Sequence, residues 1–352
     1  MIGKNIIYYI VDVNINTMWW LGYWLVQVYI NNGIMGLIIS IHVTIDYFKC
    51  YISINGLINE IYYGFVVINI HSYSTSVIYI LLYVHIVRNI LYCTYYYNYW
   101  LWINGLYLVI VSYGISYCGY VLPCCVLSIW GLIVISNVIN ICWCINYIIG
   151  CNNISNVNNN CTVKRFYIYH VVLYLIILVL IFIHIIYLHG IGSNNVLGVY
   201  VNNYIYMYPS ILINDVMGYN NICMLIWWLI ISCYVFSNWY NNILVMELLV
   251  TPLHISPEWY LLHLYMILKV VPSKIDGLYY MIICIMVMIL FSENRLLNSC
   301  CRIISYICSY SYMLVCYVLM FIGMCLYMGI GLINNIYISY GRCVMFSIII
   351  YG

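Results

Sequence analysis

Residues His170–His184 read HVVLYLIILVLIFIH, an apolar run relieved by one tyrosine and closed by a histidine at each end. A segment this apolar belongs in a bilayer, where an ionisable side chain is costly and marks function by default. The two histidines stand fourteen positions apart. In an α-helix that is about 21 Å and almost four whole turns, so both imidazoles share one face at two depths. A second stretch, HSYSTSVIYILLYVH from His71 to His85, repeats the interval. With eight histidines in the chain, two such pairs arise by chance roughly once in a hundred, which makes the pattern stronger than most short motifs.

Composition points to the same medium. Of the 352 residues 67% are hydrophobic and 5% charged, with a mean hydropathy of +1.03, values outside the range of soluble globular domains. A helix needs about 20 apolar residues to cross the roughly 30 Å hydrocarbon core, so the chain predicts an all-α polytopic membrane protein. A net charge of +2 gives no basis for a nucleic-acid partner. Most of the eighteen cysteines lie in apolar runs such as IICIMVMIL without metal-ligand spacing, and read as small core residues. The N-terminal MIGKNIIYYIVDVNINTMWW lacks the features of a removable signal peptide. The absence of alanine and the single glutamine suggest an AT-biased organellar genome.

Hydropathy predicts spans near Trp19–Ile41, Phe65–Tyr92, Leu101–Leu122, Phe166–His189, Met217–Phe236 and Leu278–Phe291, with two more between Ile303 and Tyr351, about eight in total. The apolar stretch Val126–Ile149 reads by hydropathy alone as a further span, and an asparagine-rich linker, GCNNISNVNNNCTVK, follows it. Glycosylation-type triplets at Asn153 and Asn160 are chance products of that composition.

Two helices with histidines at matching depths suit a pair of bis-histidine hemes, since each iron needs an axial imidazole from either side. Glycines supply the clearance. Gly22 and Gly36 in the first span are also fourteen apart, as are Gly105 and Gly119 in the third, so bare backbone recurs at the two levels where a flat macrocycle needs room. The plainer reading makes the histidines satisfied core groups and the glycines close-packing contacts; the joint spacing favours hemes.

Several motifs in one order resemble the cytochrome b family, the membrane core of quinol–cytochrome c oxidoreductase (complex III). They are HIVR after the second histidine, GYVLP at Gly119–Pro123, RFYIYH leading into His170, LHGIGSNN at Leu188–Asn195, TPLHISPEWYLL with Pro-Glu-Trp-Tyr at Pro257–Tyr260, and VPSK at Val271–Lys274. The resemblance runs from about Trp19 to Asn298 in one polypeptide, unlike the split plastid-type relative. It implies an N-terminal diheme four-helix bundle over residues 1–200 with a surface hairpin at about 126–149, and C-terminal transmembrane helices with the quinol-site loop over 201–352. His71 with His170 would hold the low-potential heme b, and His85 with His184 the high-potential one.

The resemblance also implies the chemistry. Quinol is oxidised at an outer site, one electron goes to a Rieske iron–sulfur protein, and the other crosses two hemes to reduce quinone at an inner site, coupled to proton translocation in a Q cycle. Implied partners are that protein, a membrane-anchored c-type cytochrome, other complex III subunits, a second copy in a homodimeric complex, and the lipid bilayer. The implied location is the mitochondrial inner membrane. Glu258 is the candidate for outer-site proton acceptor, because a carboxylate beside an apolar pocket can be tuned toward working pH. Tyr120, Tyr260 and Tyr265 match positions near it. The inner quinone site would use His189, Ser193 and Asp215, and Arg88 would pair with a heme propionate. Departures from the family pattern are Ile68 for an arginine, Cys124, Cys125 and Val126 for Trp-Gly-Gln, and Asn214 for a lysine. A channel or transporter without redox chemistry, or another diheme quinone-linked cytochrome, are the competing readings. A heme spectrum separates the first of these from a cytochrome.

Overall fold

The computed structural model describes residues 10–92, 94–139, 160–193, 203–236 and 257–290. Their helices longer than one turn are α1 (Leu21–His42), α2 (Cys50–Glu60), α3 (Gly64–Leu91), α4 (Tyr99–Val121), α5 (Val126–Ile139), α6 (Asn160–Ile191), α7 (Leu212–Phe236), α8 (Leu262–Val270) and α9 (Lys274–Leu290). Isoleucine, valine, tyrosine and asparagine are mediocre helix formers in water. In lipid the backbone must satisfy its own hydrogen bonds, and a helix does so. Among the described residues α1, α3, α4 and α6 are long and apolar enough to cross a membrane, and α7 and α9 fall at two more of the expected spans. The two expected helices between 303 and 351, residues 140–149 of the expected hairpin, and most of the asparagine-rich linker lie outside the described residues.

Local chemistry sets the helix ends. Asn98 accepts the Leu101 N–H at 3.1 Å, a side-chain cap on α4. Extended backbone at Val43 ends α1, and Tyr63, at φ 61°, turns the chain into α3.

The fourth span begins at Asn160, six residues before the hydropathic boundary at Phe166. Polar anchoring explains the extension: the Asn160 side chain accepts the Tyr47 N–H at 2.8 Å and donates to Asp46 Oδ2 at 2.9 Å. Asn160→Ala removes both bonds and is expected to destabilise the protein by about 1–2 kcal/mol. A lowered Tm of the purified complex, with cofactor content unchanged, is the check.

Other elements escaped the hydropathic reading, among them α8. Helix α2 occupies the segment between the first two spans. A two-stranded antiparallel sheet joins β1 (Ile10–Asp12) to β2 (Tyr204–Tyr206), with Val11 opposite Ile205.

The chain forms two compact units. The first holds Met1–Thr44, Ile52–Val109 and Tyr174–Asn238, the second the remainder, with boundaries falling inside α4 and α6. In the first unit α1 packs along α3, and α7 packs on both, around the buried Val28 and Tyr79. Leu175, Val179, Phe182 and Ile186 form an exposed stripe along α6, the spacing of a face turned to lipid. In the second unit Cys118, Val121, Leu132 and Phe166 make a core cluster, and α8 and α9 pack together.

Candidate functional site

All four histidines predicted as ligands stand beside the glycines that share their spacing. A Cβ built on Gly22 would lie 3.8 Å from His85 Cε1, and one on Gly105 would lie 3.4 Å from His184 Cε1. On Gly36 it would lie 3.0 Å from His71 Cε1, and on Gly119 2.7 Å from His170 Cε1. The last two are closer than side chains normally approach, so any larger residue there would displace the ring. The first three pairs belong to the first unit and Gly119 with His170 to the second.

The rings are held in two ways. His71 Nδ1 lies 3.0 Å from the Asn32 carbonyl, and His170 Nδ1 lies 2.8 Å from the Ile115 carbonyl. A carbonyl only accepts, so Nδ1 carries the proton in both, and Nε2 keeps the lone pair a metal needs. Among the described residues the buried Nδ1 atoms of His85 and His184 have no hydrogen-bond partner.

His85 and His184 open into a cavity of about 470 Å³ inside the first unit, walled by parts of α1, α3, α4 and α6. The volume falls within the roughly 300–1,000 Å³ usual for cofactor sites. Gly22 and Gly105 line it, as do Arg88, His189, Ser193 and Asp215, so the residues expected at the inner quinone site share one enclosure with a histidine pair. Asp215 is buried, and its Oδ1 has no partner among the described residues. Its carbonyl accepts from Trp24 Nε1 at 3.3 Å. Arg88 donates to the Met18 carbonyl and to Asn89 Oδ1, each at 3.0 Å, and stacks over Trp19 at 5.2 Å. The cavity fits a porphyrin on two grounds: bare glycine backbone opposite two imidazoles, and a guanidinium on the wall suited to a carboxylate.

The wall also contains two polar residues that the sequence reading passed over. Gln27 is the chain's one glutamine, and that rarity was the available signal. Trp20 has a buried indole N–H without a partner among the described residues, which no spacing in the sequence announces.

The residues expected at the outer site fall in the second unit. Tyr260 is buried and hydrogen-bonds Ser116, with Tyr120 and Glu258 close by. Its hydroxyl pKa is raised by burial first and by the Glu258 charge second. Glu258 keeps an exposed face, yet the apolar surroundings push its carboxyl above the ordinary range. Tyr265 lies on α8, half-buried. The Cys124–Cys125 departure preserves support for Tyr120: Cys124 takes a left-handed φ of 53°, Cys125 Sγ sits 2.9 Å from Ser128 Oγ, and that hydroxyl donates to the Tyr120 carbonyl at 2.7 Å. The sequence reading missed His263, whose Nε2 lies 3.4 Å from the Tyr113 hydroxyl. Burial pushes its imidazole down to about 4. Its position three residues after Tyr260, one helical turn on, was the available clue.

The sequence matches the pattern of the family described as Cytochrome b/b6/petB over residues 6–192, and that of Cytochrome b(C-terminal)/b6/petD over residues 246–349. It is 32% identical to cytochrome b of Plasmodium falciparum over 226 residues, covering 64% of this chain and 59% of that protein. Cytochrome b of Plasmodium berghei is 31% identical over 254 residues, 72% of this chain and 66% of that protein. For Apis mellifera ligustica the figures are 31% over 219 residues, 60% and 56%. The chain thus spans about three-fifths of the length of these relatives. A chain of a hyperthermophilic respiratory complex III superposes with a TM-score of 0.79 at 20% identity, covering 99% of this chain and 94% of that one. At that identity the likeness establishes the all-α polytopic fold.

Proposed function

The chain belongs to the cytochrome b family, and from that membership we propose that it is the diheme subunit of a quinol–cytochrome c oxidoreductase, working in the mitochondrial inner membrane. The observation that carries this reading is the shared cavity, where His85 and His184 stand with His189, Ser193 and Asp215. A histidine pair next to proton-donating groups suits a site where electrons arriving through the protein meet a quinone that must take up protons.

In this reading residues 1–200 form the diheme bundle, and residues 201–352 carry the quinol-site loop. His85 and His184 hold one heme b and His71 and His170 the other, each through Nε2. The hemes, when bound, pass single electrons across the membrane. Glycines 22, 36, 105 and 119 leave room at the same levels, and Arg88 offers its guanidinium to a propionate. At the inner site Asp215 and His189 deliver protons to the quinone oxygens, and Ser193 orients the ring by hydrogen bonding. At the outer site Glu258 accepts a quinol proton, while Tyr260, held by Ser116, and Tyr120 and Tyr265 shape the pocket. A Rieske iron–sulfur protein takes the other electron, and a membrane-anchored c-type cytochrome and further subunits complete a homodimeric complex.

Heme quantitation on the purified complex tests the proposal. Two b hemes per chain, with a reduced-minus-oxidised spectrum of bis-imidazole type, are expected. One heme or none would overturn it, and a channel or transporter would show no such spectrum at all.

A further inference from the structure

The glycines do more than make room. In an α-helix the carbonyl one turn before residue i is that of residue i−4, and a side chain lying over a bare glycine can reach it. His71 lies over Gly36 and bonds the carbonyl of Asn32, four residues earlier; His170 lies over Gly119 and bonds the carbonyl of Ile115, again four residues earlier. Tyr174 repeats the device without any metal, lying over Gly33 with its hydroxyl donating to the Tyr29 carbonyl at 3.2 Å. The arrangement is therefore a property of the glycine position, found on α1 and on α4 alike.

The other two histidines lack it. The corresponding carbonyl for His85 is that of Met18, four residues before Gly22, and Arg88 occupies it at 3.0 Å. The rings of His85 and His184 also stand farther off their glycines, at 3.8 and 3.4 Å against 3.0 and 2.7 Å, and neither Nδ1 has a partner among the described residues. Two histidines are thus anchored through Nδ1 and two are not, and the division follows the two ligand pairs.

Given the two-heme reading above, on which this rests, we propose that the Asn32 and Ile115 carbonyls, reached across Gly36 and Gly119, set the potential of the heme held by His71 and His170 below that of the other. An Nδ1–H donated to a carbonyl makes the imidazole more basic and a stronger electron donor through Nε2. A stronger donor stabilises ferric over ferrous iron, and axial ligation and its outer hydrogen bonds are among the protein's means of setting heme potential. Arg88, by taking the Met18 carbonyl, keeps His85 from the same anchoring. Gly36 and Gly119 are in this sense positioning residues that act through the ligands.

Pulsed EPR of the oxidised complex reads the remote ring nitrogen of each ferric heme directly, with no need for turnover. The lower-potential heme is expected to show hydrogen-bonded Nδ1 nitrogens and the higher-potential heme weakly bonded ones. Equal couplings in both hemes would overturn the proposal. Redox titration of Gly119→Ala supplies the second arm, because the added methyl forces the His170 ring off the Ile115 carbonyl. The lower-potential heme should shift upward by about tenfold in its ferrous-to-ferric equilibrium, ~59 mV for one electron, with the other heme unchanged. If that variant does not retain the heme, Gly36→Ala, with a milder contact, carries the same expectation. An unshifted potential in a heme-retaining variant would overturn the inference. Absence of bis-imidazole signals in the unaltered complex would instead refute the two-heme reading itself.

Discussion

Replacing His85 or His184 by leucine is expected to remove one heme per chain and abolish quinone reduction at the inner site. Leucine occupies a similar volume, so helix packing around the cavity persists, but it has no lone pair, and bis-imidazole ligation cannot survive with one ligand missing. Both histidines open into the enclosure that contains His189, Ser193 and Asp215, so the electron supply to that enclosure is lost even though its proton-donating groups remain. Turnover should fall by more than about a hundredfold, since disturbing even the outer partners of a metal ligand costs roughly 10- to 100-fold. The second heme, proposed to be held by His71 and His170, should remain, because their Nδ1 anchors on the Asn32 and Ile115 carbonyls do not involve the altered residue. Heme extraction and inner-site reduction kinetics check this. Two hemes retained per chain in either variant would remove that residue from the ligand set.

Candidate ligands could be picked out in the sequence because helical geometry converts chain separation into depth and facing. Fourteen residues return a side chain to the same face, so two histidine pairs and two glycine pairs could be matched without coordinates. Every one of those glycines stands beside a histidine in the structure. Which backbone oxygen each ring reaches was not legible. Asn32 and Ile115 act through their carbonyls, and any residue has a carbonyl; only the helix placed against them shows which one is used. Arg88 illustrates the same limit. Its charge suggested a propionate, whereas its bonds to Met18 and Asn89 and its stacking on Trp19 depend on neighbours brought close by the fold.

Elements stabilised from far along the chain were harder still to anticipate. Strand β1 has three residues, and its partner β2 begins at Tyr204; neither segment has enough alternation to declare itself. Hydropathy began the fourth span only at Phe166 because it weighs asparagine as polar. It could not register that Asn160 is held by Asp46 and Tyr47, residues more than a hundred positions earlier. Periodic apolar segments were readable because lipid enforces them, while polar features that depend on a single distant partner were not.

Glu258→Gln is expected to lower quinol–cytochrome c reductase turnover by about a hundredfold, the smaller end of what a positioned proton acceptor contributes, and to change its pH dependence while both hemes stay. Glutamine keeps the shape and the hydrogen-bonding capacity of the loop that leads into Tyr260, and it removes only the ability to take a proton. The sign follows from the direction of the shift. Burial raises the carboxyl above the ordinary range, so the fraction present as carboxylate, the form able to accept, increases as pH rises through that raised value. The unaltered complex should therefore gain rate with rising pH along an acid limb that sits higher than an ordinary glutamate, at about 4.3, would place it. The limb should vanish in the variant. Tyr260 cannot replace the lost group, because burial, the larger cause of its raised hydroxyl pKa, persists in the variant and keeps it protonated throughout. Rates measured from about pH 5 to 9 decide the matter. A profile identical to that of the unaltered complex would transfer the proton to another acceptor, and the first to examine would be His263, half-buried one helical turn beyond Tyr260 and bonded to Tyr113.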